Sequence, residues 1–186
     1  MAVVLALGVA AGGAGTVAAT GAGGAGTSAG RSGGEGAQVR ARARSTARAV
    51  QRLESRGLRV EQRGVEADDD CAAHSYGDVQ DFFEDQPCTA LYRGLFEVRD
   101  GRAVAVVAVA WVDMPDPDQA LEFQQLVDRH GTGNVTELGP GSVRWTGERY
   151  ASGRDGLTVV NAQAEPVGRT AQAVRLADLA AGTAVG

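Results

Sequence analysis

Lysine is absent from this chain of 186 residues, and all 18 basic side chains are arginine. We read that absence as a high-GC coding bias rather than a physical requirement. A solidly apolar run is also missing. In Met1–Ala19 only Val3, Val4, Leu5, Leu7, Val9 and Val17 are strongly apolar, whereas a membrane-spanning helix needs about 20 such residues. Basic charge is scarce where a core can form: residues 64–186 hold nine Arg against twenty acids, while residues 1–63 hold nine against three. A globular nucleic-acid binder needs a basic face to neutralise phosphates, so this acidic half argues against that class. Histidine occurs only at positions 74 and 130, and cysteine only at 71 and 88. What remains is ample for one packed domain. Hydrophobic residues make up 44% and charged ones 22%, which excludes wholesale disorder.

Twelve of the 27 glycines fall within the first 36 residues, so the chain is made of two different materials. Residues 1–30 carry no charge. Val3–Ala14 followed by Val17-Ala18-Ala19 matches a signal peptide, with an apolar core of about 7–15 residues and then small residues for cleavage. No Arg or Lys precedes that run, which leaves a weak membrane anchor or an Ala/Gly tail as alternatives. Residues 1–19 are therefore expected to export or anchor the chain. Residues 20–36 have the composition of a Gly/Ala-rich flexible linker. Residues 37–57 predict a helix with Arg44, Arg48, Arg52 and Arg56 in one stripe and Ala43, Ala47, Val50 and Leu53 in another. The arginines suit anionic headgroups, and the apolar stripe suits packing on a domain.

Residues 58–186 predict one α+β domain. Its sheet is expected to be mostly antiparallel, of about five strands, with helices packed on one face. Leu58–Val65 reads as a strand and Ser75–Asp85 as a helix capped by Ser75, with Val79, Phe82 and Phe83 on one face. Ala90, Tyr92, Phe96 and Val98 alternate with Arg93, Glu97 and Arg99. Asp100-Gly101 supplies a turn, and Ala103–Val112 returns as a central strand. Asp116-Pro117-Asp118-Gln119 opens a helix that buries Ala120, Phe123, Leu126 and Val127 and stops near Gly131. Ser142–Thr146 and Arg149–Ser152 predict short strands, Gly153–Gly156 a turn and Leu157–Ala164 a longer strand. Thr170 caps a last helix with Ala173, Leu176, Ala177 and Ala180 inward, ending near Gly182.

Cys71 and Cys88 bracket the Ser75–Asp85 helix, and three readings compete. As a disulfide they staple that helix to the following strand, which an exported chain favours. As metal ligands, Cys71, His74 and Cys88 lack the paired spacing of a zinc site. As a nucleophile, Cys88 needs His74 or His130 as base, and no local pattern marks either. The bland account is better for both histidines: His74 as a surface or capping residue, His130 at a helix C-terminus. Gly131-Thr132-Gly133-Asn134 follows a helix and precedes an extended segment, so it reads as a helix stop rather than a phosphate loop. Asn134-Val135-Thr136 fits a glycosylation sequon, Asp68–Asp70 lacks the spacing of a hard-cation loop, and Trp111 and Trp145 read as core.

The stretches Cys71–Pro115 and Gly131–Pro166 resemble uncharacterised membrane-anchored or secreted proteins of actinobacteria. That group shares an apolar N-terminal segment, a low-complexity linker and a C-terminal domain. The resemblance implies location and architecture, and no activity. The functional expectation is a non-enzymatic extracytoplasmic domain that binds a protein or cell-envelope component, with no cofactor, no metal and no nucleic acid, held at the membrane through its N-terminal segment. The alternatives are a cytoplasmic-side membrane regulator and a small extracytoplasmic hydrolase using His74 or His130.

Overall fold

The computed structural model describes residues 32–139 and 143–186, with the side chains of the first helix from Arg44 onward. The apolar segment 1–19, the linker up to residue 31 and the start of the predicted 142–146 strand lie outside the described residues. Helix α1 spans Ser32–Ser55 and so takes in the end of the stretch read as linker. The added stretch Ser32-Gly33-Gly34-Glu35-Gly36 has weak helix propensity of its own, so its helicity is propagated from the Ala- and Arg-rich turns that follow. The buried face of α1 is Ala49 and Leu53 with Val50 beside them, not Ala47, which is exposed.

Strand β1 (Arg59–Asp68), β3 (Ala90–Asp100), β4 (Ala103–Asp113), β6 (Tyr150–Asp155) and β7 (Thr158–Pro166) form one sheet in the order β1-β3-β4-β7-β6. Every neighbouring pair is antiparallel, as the short connections predicted. A separate two-stranded ribbon joins β2 (Ser75–Tyr76) to β5 (Asn134–Val135). The β3–β4 hairpin pairs Asp100 with Ala103, so its two-residue loop is Gly101-Arg102, one position later than expected. The last hairpin pairs Asp155 with Thr158, so strand β6 absorbs most of the turn read at Gly153–Gly156. Residues 143–149 form no strand.

Helix α2 (Asp78–Asp85), α3 (Pro117–Val127) and α4 (Ala171–Val185) complete the domain. The helices are shared between both faces of the sheet rather than gathered on one. Helices α1 and α4 cover the face built by Tyr92, Phe96, Val107, Val109, Val160 and Ala162. Helices α2 and α3 cover one end of the other face, over Leu91, Ala110, Val112 and Val159, where Phe82, Phe83 and Phe123 meet. The reason is visible in β4, whose Ala and Val residues are apolar on both sides and leave neither to water.

The caps behave as the residues dictate. Asp116 accepts from the amides of Asp118 and Gln119 at 2.9 Å, and Thr170 accepts from Ala173 at 3.2 Å. Gln119 does not reach back to the cap; its Oε1 is buried without a hydrogen-bond partner among the described residues. Helix α3 ends at Val127, short of Gly131. Helix α4 runs past Gly182 because Ala181 and Ala184 continue its buried face.

The remaining part of the second sheet face is polar and is crossed by chain. Leu138 lies over Gly64 of β1, and Gly139 lies over Leu95 of β3. Gln163 Nε2 donates to Glu137, and Glu165 accepts from the amide and hydroxyl of Thr146 at 2.6 Å. Arg93, read as an outward residue, is buried there. It donates to the Thr136 carbonyl at 3.1 Å and to Glu66 at 2.8 Å.

Candidate functional site

The two cysteines form a disulfide with Cα atoms 6.1 Å apart. It joins the chain just after β1 to the chain just before β3, beneath Val79 and Phe83 of α2. Ser75 does not cap α2. Its hydroxyl donates to the Cys71 carbonyl at 2.8 Å while its backbone pairs with Val135, and Gly77 occupies the cap position. Pairing across the chain therefore displaced the local capping signal.

That ribbon builds one wall of a cleft of about 320 Å³ at the C-terminal end of α3. Tyr76 of β2 contributes an aromatic ring that is 47% exposed. Asp128, Arg129 and His130, directly after α3, form the adjoining wall, and Trp145 and Tyr150 face them from the segment leading into β6. The floor is Asn134 and Gln163, both buried. Trp111 is a core residue as expected, but Trp145 is only half-buried and lines this cleft.

The walls are fixed by their own hydrogen bonds. Thr132 Oγ1 lies 2.8 Å from the carbonyls of both Leu126 and Arg129, which share its one O–H, and closes the end of α3. The amide of Val79 donates to the Thr132 carbonyl at 3.2 Å, and the amide of Thr136 donates to the His74 carbonyl at 2.7 Å. Gly133 has φ +90°, and a Cβ there would lie 1.9 Å from the Tyr76 carbonyl oxygen. The Gly131–Asn134 stretch is thus more than a helix stop, because it needs a residue without a side chain where two backbones touch. Asn134 Oδ1 accepts from Asn161 Nδ2 at 3.0 Å and from the Val135 amide at 2.8 Å. Asn134 is buried, so its amide nitrogen is not open to a glycan in the folded state.

Asp128 Oδ1 accepts from Ser152 at 2.5 Å and from the Tyr150 hydroxyl at 3.4 Å. Burial, reinforced by the Asp128 charge, pushes the Tyr150 phenol well above its usual range, so it stays a neutral donor. Burial, followed by the Glu137 charge, also raises Tyr76. Glu137 itself is raised by burial and then by Glu165. The cleft thus presents neutral phenols, two amides, a carboxylate, a guanidinium, an imidazole and an indole.

The structure does not bring the two histidines together. His130 is exposed in the cleft and makes no side-chain hydrogen bond among the described residues. His74 directly precedes β2 and does not line the cleft; its Nε2 is 2.9 Å from Asp68 Oδ2. Asp68 is held down to about 2, first by the Asp70 amide, then by the His74 hydrogen bond and the Asp69 amide. Among the described residues no group of three His, Cys, Asp or Glu side chains is placed to hold a metal ion. No described helix is long and apolar enough to cross a membrane. Two arginines of α1 bond to the domain: Arg52 donates to the Ala184 carbonyl at 3.3 Å, and Arg48 lies 3.5 Å from Asp155 in an exposed pair.

Sequence reasoning did not pick out Tyr76, Asp128, Tyr150 or Gln163, and it read Trp145 as core. Tyr76, Asp128, Trp145 and Tyr150 each lie within three residues of a glycine in a turn, a signal that becomes a site only when the turns meet, whereas Gln163 sits inside β7 and carries no such signal. The chain matches no protein-family model, and no curated protein and no solved structure is significantly similar to it.

Proposed function

We propose that this protein is a non-enzymatic binding domain of the extracytoplasmic side, exported or anchored through residues 1–19, and that it recognises a cell-envelope component through the α3 cleft. Kinship with the membrane-anchored or secreted actinobacterial proteins belongs to the same proposal. The observation that carries the binding role is the cleft itself. It is concave, walled by Tyr76, Trp145 and Tyr150, and preformed by backbone contacts rather than by a ligand. The location is supported by the Cys71–Cys88 disulfide, which is consistent with an oxidising compartment. The same bond weighs against a cytoplasmic-side regulator.

Two measurements test this. Protease treatment of intact cells should degrade the C-terminal domain; full protection would overturn the location. The full chain should also co-sediment with detergent-extracted envelope from the producing cells, and Trp145→Ala should release it. Detergent removes lipid, so the apolar segment cannot account for sedimentation. A full chain that stays in the supernatant would overturn the binding role.

A further inference from the structure

The cleft carries chemistry that narrows its ligand, and this inference rests on the binding role proposed above. Its charged side chains are mixed: Asp128 and Arg129 are opposite in sign, and no cluster of one sign selects a phosphate or a metal ion. Its aromatic groups are amphipathic. Tyr76 is 47% exposed and Trp145 half-buried, and both line the cleft, which suits a ligand with one apolar face and polar edges. The carboxylate is half-used. Asp128 Oδ1 is occupied by Ser152 and Tyr150, while Oδ2 has no partner among the described residues. Next to it stand the guanidinium donors of Arg129 and the imidazole of His130.

An acceptor beside donors is the complement of two adjacent hydroxyl groups. One hydroxyl donates to Oδ2, and its neighbour accepts from a cationic or imidazole N–H. A pyranose ring supplies that pair on its edge and a patch of C–H groups on its face for an aromatic ring. The cleft volume of about 320 Å³ falls at the small end of ligand sites, roughly 300–1,000 Å³, where one or two sugar rings fit and a folded protein partner does not. We infer that the α3 cleft binds a neutral carbohydrate with adjacent free hydroxyls, carried on an envelope polysaccharide, with Trp145 and Tyr76 as stacking platforms and Asp128 as the hydroxyl acceptor.

The test uses the full chain and detergent-extracted envelope, untreated, protease-digested or oxidised with periodate, which cleaves adjacent diols and spares peptide bonds. Binding should survive protease and fall about tenfold or more after periodate. Trp145→Ala and Tyr76→Ala should each reproduce that loss on untreated envelope, with thermal unfolding unchanged. Tyr76 is about half-exposed and belongs to neither core cluster, so its variant keeps the test valid if the Trp145 variant misfolds. Binding that survives periodate overturns the carbohydrate, and if protease then abolishes it the ligand is a protein and the binding role stands. Binding retained by both folded variants overturns the cleft as its site. No binding to untreated envelope removes the proposed function itself.

Discussion

Gly133 and Gly131 share a φ of +90° but differ in what surrounds them. A Cβ at Gly133 would meet the Tyr76 carbonyl at 1.9 Å, whereas at Gly131 nothing lies within 4 Å. Gly131→Ala should therefore cost only the left-handed backbone, about 1 kcal/mol. Gly133→Ala adds a backbone collision and should cost about 2–4 kcal/mol. Urea unfolding of the two variants checks this, and equal losses would mean the β2–β5 ribbon yields freely. Asp68 offers a second test at this scale. Its carboxyl sits at about 2 in the folded chain, below the ordinary 3.8, so the folded state favours the ionised form. The stability this contributes is present above pH 3.8 and is lost as pH falls toward about 2. Asp68→Asn should lower the melting temperature at pH 6 and converge on the parent near pH 2. A gap that persists at pH 2 would show that the charge on Asp68 is not the source.

At the scale of elements, local rules hold wherever the partner is local. The Asp116-Pro117 start of α3, the Thr170 start of α4 and the β3–β4 hairpin were legible because cap, turn and alternation lie within a few residues. The start of α2 was not legible. Ser75 looks like a cap in sequence, but Asn134–Val135 recruits it into a ribbon. The disulfide belongs to this scale because it closes the loop that carries α2. Both sulfurs lie in the second core cluster, and the bond spans a sequence separation of 17. Replacing both cysteines by Ala should cost about 2–4 kcal/mol. Denaturant curves of the variant and of the reduced parent should then nearly coincide; a reduced parent as stable as the oxidised one would show that the cross-link contributes nothing.

At the scale of the molecule, the folded unit begins inside the N-terminal third. Ala49 and Leu53 of α1 are fully buried against the α4 face of the sheet. Removing residues 1–31 should leave a cooperative transition with an unchanged midpoint. Removing 1–57 strips Leu53 from the core, a loss comparable with a Leu truncation of about 2–5 kcal/mol, and should lower the midpoint by several degrees or abolish the transition. Calorimetry of the two truncations decides whether α1 is part of the domain. Equal melting would make it an appendage.

The α+β class, the antiparallel sheet, two of the helix starts and the inward residues of α3 and α4 were determined by the sequence alone. Periodicity and capping are short-range, and each residue reports its own side of an element. The single pair of cysteines likewise allowed one bridge. Tertiary structure decided the rest. Both faces of β4 are apolar, so the sequence marked it as covered without saying by which helices, and only packing placed α1 and α4 on one side and α2 and α3 on the other. Arg93 read as an outward residue until residues 134–139 crossed above it. The cleft shows the same limit most clearly. Tyr76, Asp128, Trp145 and Gln163 come from four separate stretches, and no pattern within any one stretch encodes that they share a space. Their meeting depends on long-range contacts, above all on two backbones touching at Gly133, and such contacts exist only once the chain has folded.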